Sequence, residues 1–354
     1  MQEERKRRRT PFQGLIAMKV LLIGGTGLLG SESAWELIRR GHAVRSVALP
    51  PAPAGALLPP EMELTFGNYM EMTDGELGSL MTGCEGFVFA AGIDERVEVP
   101  APAYEAFRKV NIDPLRRLLR IARDCGVRHA VICGSYFVHF NRLWPHLRMA
   151  EHHPYIRSRV DQAQMALSFA GPDFDVAMLE LPYIFGAQPG RKPVWIFLVE
   201  QIRSMWPATF WPRGGTAMVT VRQVAQCVAG ALERNRGGEN YPVGYYNMRW
   251  KELLAIVHRE MGLPRRRVVT VPDWVFALGC GGIMRRQRKA GLEGGLNLVK
   301  FVPMMCSEAF IDKEPIAGKL GAQPDDIHGA IGESIRLCLQ VLDGKTEAIG
   351  MKAE

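Results

Sequence analysis

The segment Gly24-Gly25-Thr26-Gly27-Leu28-Leu29-Gly30 constrains the fold of this chain more than any other stretch. It follows a short apolar run, Val20–Ile23, and opens a segment of helical spacing, Ser31–Arg40, that closes at Gly41. A strand that turns this tightly into a helix needs backbone angles that glycine adopts without penalty. The same glycines let a pyrophosphate approach main-chain N–H groups at the positive end of a helix. In this strand–turn–helix setting, Gly24, Gly25, Thr26, Gly27, Leu28, Leu29 and Gly30 are predicted to bind a dinucleotide.

The rest of the first half alternates between the same two patterns. Ala43–Leu49, Glu63–Phe66, Gly86–Ala91, Ala130–Cys133 and Val176–Leu181 read as strands. Tyr104–Cys125, stopped by Gly126, and Arg157–Phe169 read as helices, and Pro50–Pro60 reads as a loop. This alternation predicts an α/β Rossmann fold, a doubly wound parallel sheet with a smaller, mostly C-terminal substrate lobe. The expected division is a basic extension over 1–17, an NAD(P)-binding domain over 18–187, a substrate-binding lobe over 188–345 with parts returning to the Rossmann core, and a tail over 346–354. In the lobe, Pro193–Met205, Val221–Glu233 and Lys251–Met261 have helical spacing. Gly279–Gly282 and Gly291–Gly295 are expected to be mobile loops, and Arg285–Lys289, near Trp274–Leu278 and Phe301–Met305, a solvated loop, with rest on a membrane surface as the alternative.

Composition narrows the class. Hydrophobic residues make up 47% of 354 and charged residues 23%, which suits a globular protein with a full core. The net charge of +7 is concentrated in part at Arg5–Arg9, read as a solvated extension rather than a nucleic-acid site. No apolar run reaches about 18 residues, so no membrane-spanning helix is expected. The seven cysteines are scattered and never form C-x-x-C, which suits reduced thiols in the cytoplasm. His152 and His153 are adjacent and point in different directions, so no metal site is expected. The partner expected is a small-molecule substrate, with a homodimer allowed, no nucleic acid and no stable membrane insertion.

The end of the second strand reads Val47-Ala48-Leu49-Pro50. Ala48 and Leu49 would flank the adenosine ribose. A carboxylate there would bond the ribose hydroxyls of NAD, and its absence removes repulsion against the extra phosphate of NADP. The cofactor is therefore NADP or NAD, with a lean to NADP.

Further motifs follow the turn in order. They are Gly67-Asn68, Ala90-Ala91-Gly92, Val110-Asn111, Gly134-Ser135, Pro154-Tyr155-Ile156-Arg157-Ser158-Arg159 and Leu181-Pro182-Tyr183-Ile184-Phe185-Gly186. With the turn, they make residues 18 to 260 resemble the extended short-chain dehydrogenase/reductase superfamily. The nearest resemblance is to its NAD-dependent epimerase/dehydratase-like and 3β-hydroxysteroid-dehydrogenase-like group. The resemblance implies that Asn68 contacts the adenine, that Ala90, Ala91 and Gly92 pack against the cofactor, and that Asn111 is the structural asparagine. It implies that Pro182, Tyr183 and Ile184 pass the nicotinamide. It also implies catalytic roles for Ser135, which would hold the substrate oxygen, and Tyr155, the general acid/base.

A phenol with a pKa near 10 must be lowered to act near neutral pH. The family uses a lysine four residues on, which also holds the ribose. Here Arg159 stands in that place. The positive charge is kept, but a planar guanidinium is not a compact ammonium. His139 and Phe140 replace the usual Tyr-Gly, and Glu180 replaces a frequent arginine. The leading functional expectation is an NAD(P)-dependent oxidoreductase moving hydride at a hydroxyl or carbonyl carbon of a fairly apolar molecule. Trp195, Trp206, Trp211, Trp250 and Trp274 suit an adaptable apolar pocket, although core is the expected role for most of them. The alternatives are a nucleotide-sugar epimerase or dehydratase with a recycled cofactor, and a dinucleotide-binding or sensor protein without turnover.

Overall fold

The computed structural model describes residues 17–350, so the basic run Arg5–Arg9 lies outside the described residues. Seven strands form one sheet: Lys19–Ile23 (β1), Ala43–Ala48 (β2), Glu63–Phe66 (β3), Gly86–Phe89 (β4), His129–Cys133 (β5), Asp175–Glu180 (β6) and Gly238–Pro242 (β7). Their spatial order is β7-β6-β5-β4-β1-β2-β3, and every pairing is parallel. This is the doubly wound Rossmann sheet. The order reverses between β1 and β4, where crossovers leave for opposite faces and open a crevice at the strands' C-terminal ends.

Alternation along each strand supplies two cores. Val20, Leu22, Val88, Val131 and Ala177 face the helices Leu28–Arg39 and Val221–Arg234. Leu21, Ile23, Phe87, Phe89, Ile132 and Met178 face Asp74–Met81, Asp113–Asp124 and Pro154–Leu167. Helix Val221–Arg234 and β7 thus belong to the Rossmann layers although they come late in the chain. A buried ion-pair cluster ties the two helices of the first face. Glu233 accepts from Arg40 at 2.8 Å and lies 3.2 Å from His42.

Several elements depart from the sequence expectations. Helix Leu28–Arg39 begins inside the glycine turn, earlier than Ser31. The segment expected as one helix over Tyr104–Cys125 carries a π-helical turn, Arg108–Ile112, between Ala103–Phe107 and Asp113–Asp124. The helix expected from Arg157 begins at Pro154, whose missing N–H costs nothing in a first turn. Strand β7 was not expected, because a half-exposed edge strand ending in Pro242 shows no apolar alternation.

The glycine-rich segments are corrected as well. Gly279–Gly282 lies within the helix Asp273–Lys289, and Arg285–Lys289 forms its last turns rather than a loop. Phe276, Ala277 and Cys280 pack on Leu298, Val302 and Cys306, and this packing outweighs the low helix propensity of glycine. Leu292–Gly294 is a strand antiparallel to Glu98–Pro100.

Candidate functional site

A cavity of about 430 Å³ runs along the C-terminal ends of β1, β2, β4, β5 and β6. Gly24, Thr26, Gly27, Leu28 and Leu29 line its floor. Gly24 has φ +94°, and a Cβ there would stand 2.8 Å from the Ala90 carbonyl oxygen. A Cβ on Gly30 would meet the Gly24 carbonyl oxygen at 2.2 Å. Helix Leu28–Arg39 has no side-chain cap and no acidic residue in its first turn. The positive end of its dipole therefore meets the cavity without a side-chain acceptor on its leading N–H groups. Gly25 and Gly30 do not line the wall. Gly25 donates its N–H to Ser46 Oγ at 3.1 Å, and both glycines shape the turn from behind.

Ala48, Leu49 and Asn68 line one end of the cavity with Tyr69 and Met70, and no carboxylate lies among them. A cation reaches the glycine turn from far along the chain. Arg191 donates to Thr26 Oγ1 at 2.6 Å and to the Thr26 carbonyl at 3.3 Å. Lys192 also lines the cavity. Ile349 donates its N–H to the Gly190 carbonyl at 2.9 Å and accepts from Lys192 N–H at 3.0 Å, so the C-terminal segment braces this loop. Sequence reasoning missed Arg191 and Lys192, since no local pattern marks residues 165 positions from the turn they serve.

Ser135, Tyr155, Arg159, Ala90, Ala91, Gly92, Pro182, Tyr183 and Ile184 line the remaining wall, so the structure brings them together. Tyr155 sits in the first turn of Pro154–Leu167, edge-on to Phe107 at 5.5 Å and to Phe137 at 6.2 Å. Burial pushes its hydroxyl pKa up, Arg159 opposes that shift, and the Glu95 carboxylate adds to it. The Arg159 guanidinium lies 5.1 Å from the Tyr155 ring centroid. It is held by Gln162 Oε1 at 2.9 Å and the Ile93 carbonyl at 3.2 Å.

Asn111 does not reach the cavity. Its side chain brackets the Ile93 backbone, accepting from the N–H at 3.0 Å and donating to the carbonyl at 3.1 Å. Gln162 donates to the Asn111 carbonyl, 2.5 Å away, in the π-helical turn. Asn111, Gln162 and Arg159 therefore fix the stretch after β4 as one buried network. Glu180 also stays outside the cavity, held by Arg142 at 2.6 and 2.9 Å.

Two further features escaped the sequence. Asp94, Glu95 and Arg96 line the cavity beside Tyr136, Tyr183, Trp195 and Phe197. Burial pushes the Glu95 carboxyl up, Asp94 adds to that, and Arg96 opposes it. Arg96 itself is bound to Asp94 and to the Val194 carbonyl. The second feature is Gly295, which accepts from Tyr155 N–H at 3.0 Å and donates to the Glu95 carbonyl at 3.1 Å. A Cβ there would lie 2.7 Å from the Glu95 oxygen and 2.8 Å from Tyr155 Cβ. The segment expected to be mobile is thus a strap across the site. Of the five tryptophans, Trp195 lines the cavity, Trp211 and Trp250 are buried in the core, and Trp206 and Trp274 are exposed.

Comparison with known proteins agrees with this architecture. The family described as NAD dependent epimerase/dehydratase family matches residues 20–244. No curated protein sequence matches the chain. Among solved structures, gox2253 superposes with a TM-score of 0.69 at 19% identity, covering 93% of this chain and 99% of its own. UDP-glucose-4-epimerase from Stenotrophomonas maltophila, with bound NAD and formylated UDP-arabinopyranose, gives 0.66 at 17%, covering 93% and 100%. PA4631, a nucleoside-diphosphate-sugar epimerase from Pseudomonas aeruginosa, gives 0.64 at 15%, covering 94% and 100%. At these identities the likeness is one of fold.

Proposed function

Because the chain belongs to the NAD dependent epimerase/dehydratase family, we propose that it is an NAD(P)-dependent oxidoreductase acting on a hydroxyl or carbonyl carbon of a fairly apolar small molecule. One observation carries the reading: a single cavity joins an uncapped helix end at Gly27–Leu29 to Ser135, Tyr155 and Arg159. The nicotinamide, when bound, supplies or accepts the hydride. Tyr155 takes the hydroxyl proton as the alcohol becomes a carbonyl, and returns it in the reverse direction. Ser135 holds the substrate oxygen, and Arg159 stabilises the Tyr155 phenolate by charge. The reading keeps a lean to NADP. The acids lining the cavity are Asp94 and Glu95, away from Ala48 and Leu49, while Arg191 and Lys192 stand near the turn.

The aromatic wall of Tyr136, Phe137, Tyr183, Trp195 and Phe197 supports an apolar substrate. A second reading, nucleotide-sugar epimerisation, draws on the relatives of the same fold that bind NAD and UDP-sugars. Nicotinamide absorbance separates the two. Net reduction of an apolar ketone consumes NADPH, and Tyr155→Phe lowers that rate about a hundredfold or more. Interconversion of UDP-hexoses at constant absorbance would replace the first reading with the second. An unchanged rate in Tyr155→Phe would remove Tyr155 from the mechanism.

A further inference from the structure

Among the described residues, seven of the ten exposed large apolar side chains fall between Trp206 and Val299. Trp206 is 85% exposed, and Trp274 and Leu278 are each 68% exposed. These side chains are not scattered. Phe210 and Val269 are cross-strand partners in the ribbon formed by Thr209–Trp211 and Val268–Thr270. The ribbon leads directly into helix Asp273–Lys289, and an Arg213–Asp273 ion pair of 2.8 Å fastens the junction. On that helix, Trp274, Leu278, Gly282, Arg285 and Lys289 recur every three or four residues and share one face. Exposed apolar surface of this extent marks a contact surface in a soluble chain.

Charge selects the partner. Residues 261–291 contain seven cations, Arg265, Arg266, Arg267, Arg285, Arg286, Arg288 and Lys289, and one acid, Asp273. That is a net of +6 in a chain whose formal total is +7; Nε and Nη2 of Arg266 are buried, which leaves six cations to face a partner, and Asp273 is already paired with Arg213. Exposed tryptophans flanked by arginine and lysine match the layered chemistry of a bilayer surface, where indoles sit at headgroup depth and cations meet lipid phosphates. A second copy of this chain fits poorly, because a two-fold interface would set like charges against each other. Nucleic acid fits the cations but leaves Leu278 and Val269 without a role.

We propose that the ribbon and helix Asp273–Lys289 form a peripheral docking surface for an anionic lipid bilayer. The surface lies next to the candidate site. Gln287 donates to Glu98 at 2.9 Å, and Phe301 of the neighbouring helix packs on Phe137 at 5.5 Å. The proposal stands on this face alone and is independent of the chemistry at Tyr155.

The full chain is sedimented with vesicles of phosphatidylcholine alone and with vesicles carrying about a third phosphatidylserine. Binding is expected to the anionic vesicles only, to weaken as salt rises, and to bring tryptophan quenching by brominated lipid. The paired variants Trp274→Ser/Leu278→Ser and Arg285→Glu/Arg288→Glu are each expected to weaken binding about tenfold or more, with Tm and helical content unchanged. The basic run Arg5–Arg9 is kept in every variant, so the loss reports this face. Absence of binding to anionic vesicles, or equal binding by both variants, would overturn the proposal. So would a dimer that these variants dissociate, or binding of the protein to nucleic acid in place of lipid.

Discussion

The Tyr155 hydroxyl lies under four influences: burial raises its pKa, Arg159 lowers it, and the Glu95 and Asp94 carboxylates raise it. The charges of Arg159 and Glu95 can be removed separately. In Arg159→Met, loss of the cation destabilises the phenolate, so the alkaline limb of the kcat/KM profile moves to higher pH. In Glu95→Gln, loss of the anion has the opposite sign and the limb moves to lower pH. Profiles that move in the same direction, or do not move, would show that Tyr155 is not the titrating group. Tyr155 and Arg159 were legible through the resemblance of Pro154–Arg159 to the family's signature, in which the two positions stand four residues apart on one helix. Glu95 was not, since it reaches Tyr155 only by folding across Gly295.

Among elements, the π-helical turn at Arg108–Ile112 carries the Asn111 backbone and side chain into the network that holds Ile93. The sequence placed Asn111 on a long helix and could not show the extra residue in its turn, because a single five-residue turn at Arg108–Ile112 is too short to stand out from the three- and four-residue spacings around it. Asn111→Ala strands the Ile93 N–H and is expected to cost about 1–3 kcal/mol in chemical denaturation. Cofactor affinity falls with it, since the stretch after β4 loses its support. A variant with wild-type stability would remove that role. A second element-level contact is the Glu233–Arg40–His42 cluster between two helices. Burial raises the Glu233 pKa, but bonds from His42 and Arg40 outweigh it and leave the carboxyl below its ordinary value. A depressed folded pKa stabilises fully above the unfolded value of about 4.3 and is lost as pH falls through the folded one. Arg40 keeps its ion pair with Glu36 at 2.7 Å, so Glu233→Ala should cost about 1–3 kcal/mol at neutral pH. The difference from the parent should shrink in acid, and a difference constant with pH would contradict the assignment.

At the scale of the whole molecule, six of the seven sheet strands could be read from short apolar runs, and the glycine turn located the crevice. The parts that stayed hidden are contacts between distant segments. Arg191 meets Thr26, Gly295 meets Glu95 and Tyr155, and a tertiary contact keeps the glycines at 279–282 helical. Local pattern carries no trace of such pairings. If the cavity binds a dinucleotide across the fold, saturating cofactor at a hundred times Kd should stabilise the chain by about 2.7 kcal/mol, seen as a rise in Tm. Gly27→Val should abolish that rise while leaving the unliganded Tm close to wild type, and an equal rise in the variant would overturn the site. One feature of the sheet bears on biogenesis. Strand β7 covers the outer edge of β6, yet it is translated well after it. Until Gly238–Pro242 leaves the ribosome, the nascent sheet presents β6 as an open edge, its main-chain donors and acceptors available to any extended neighbour. A chain halted before that point would carry most of the nucleotide-binding machinery and also an adhesive rim. A chain ending before Gly238 is thus expected to aggregate rather than to form a smaller working domain, which light scattering of the truncated protein would check.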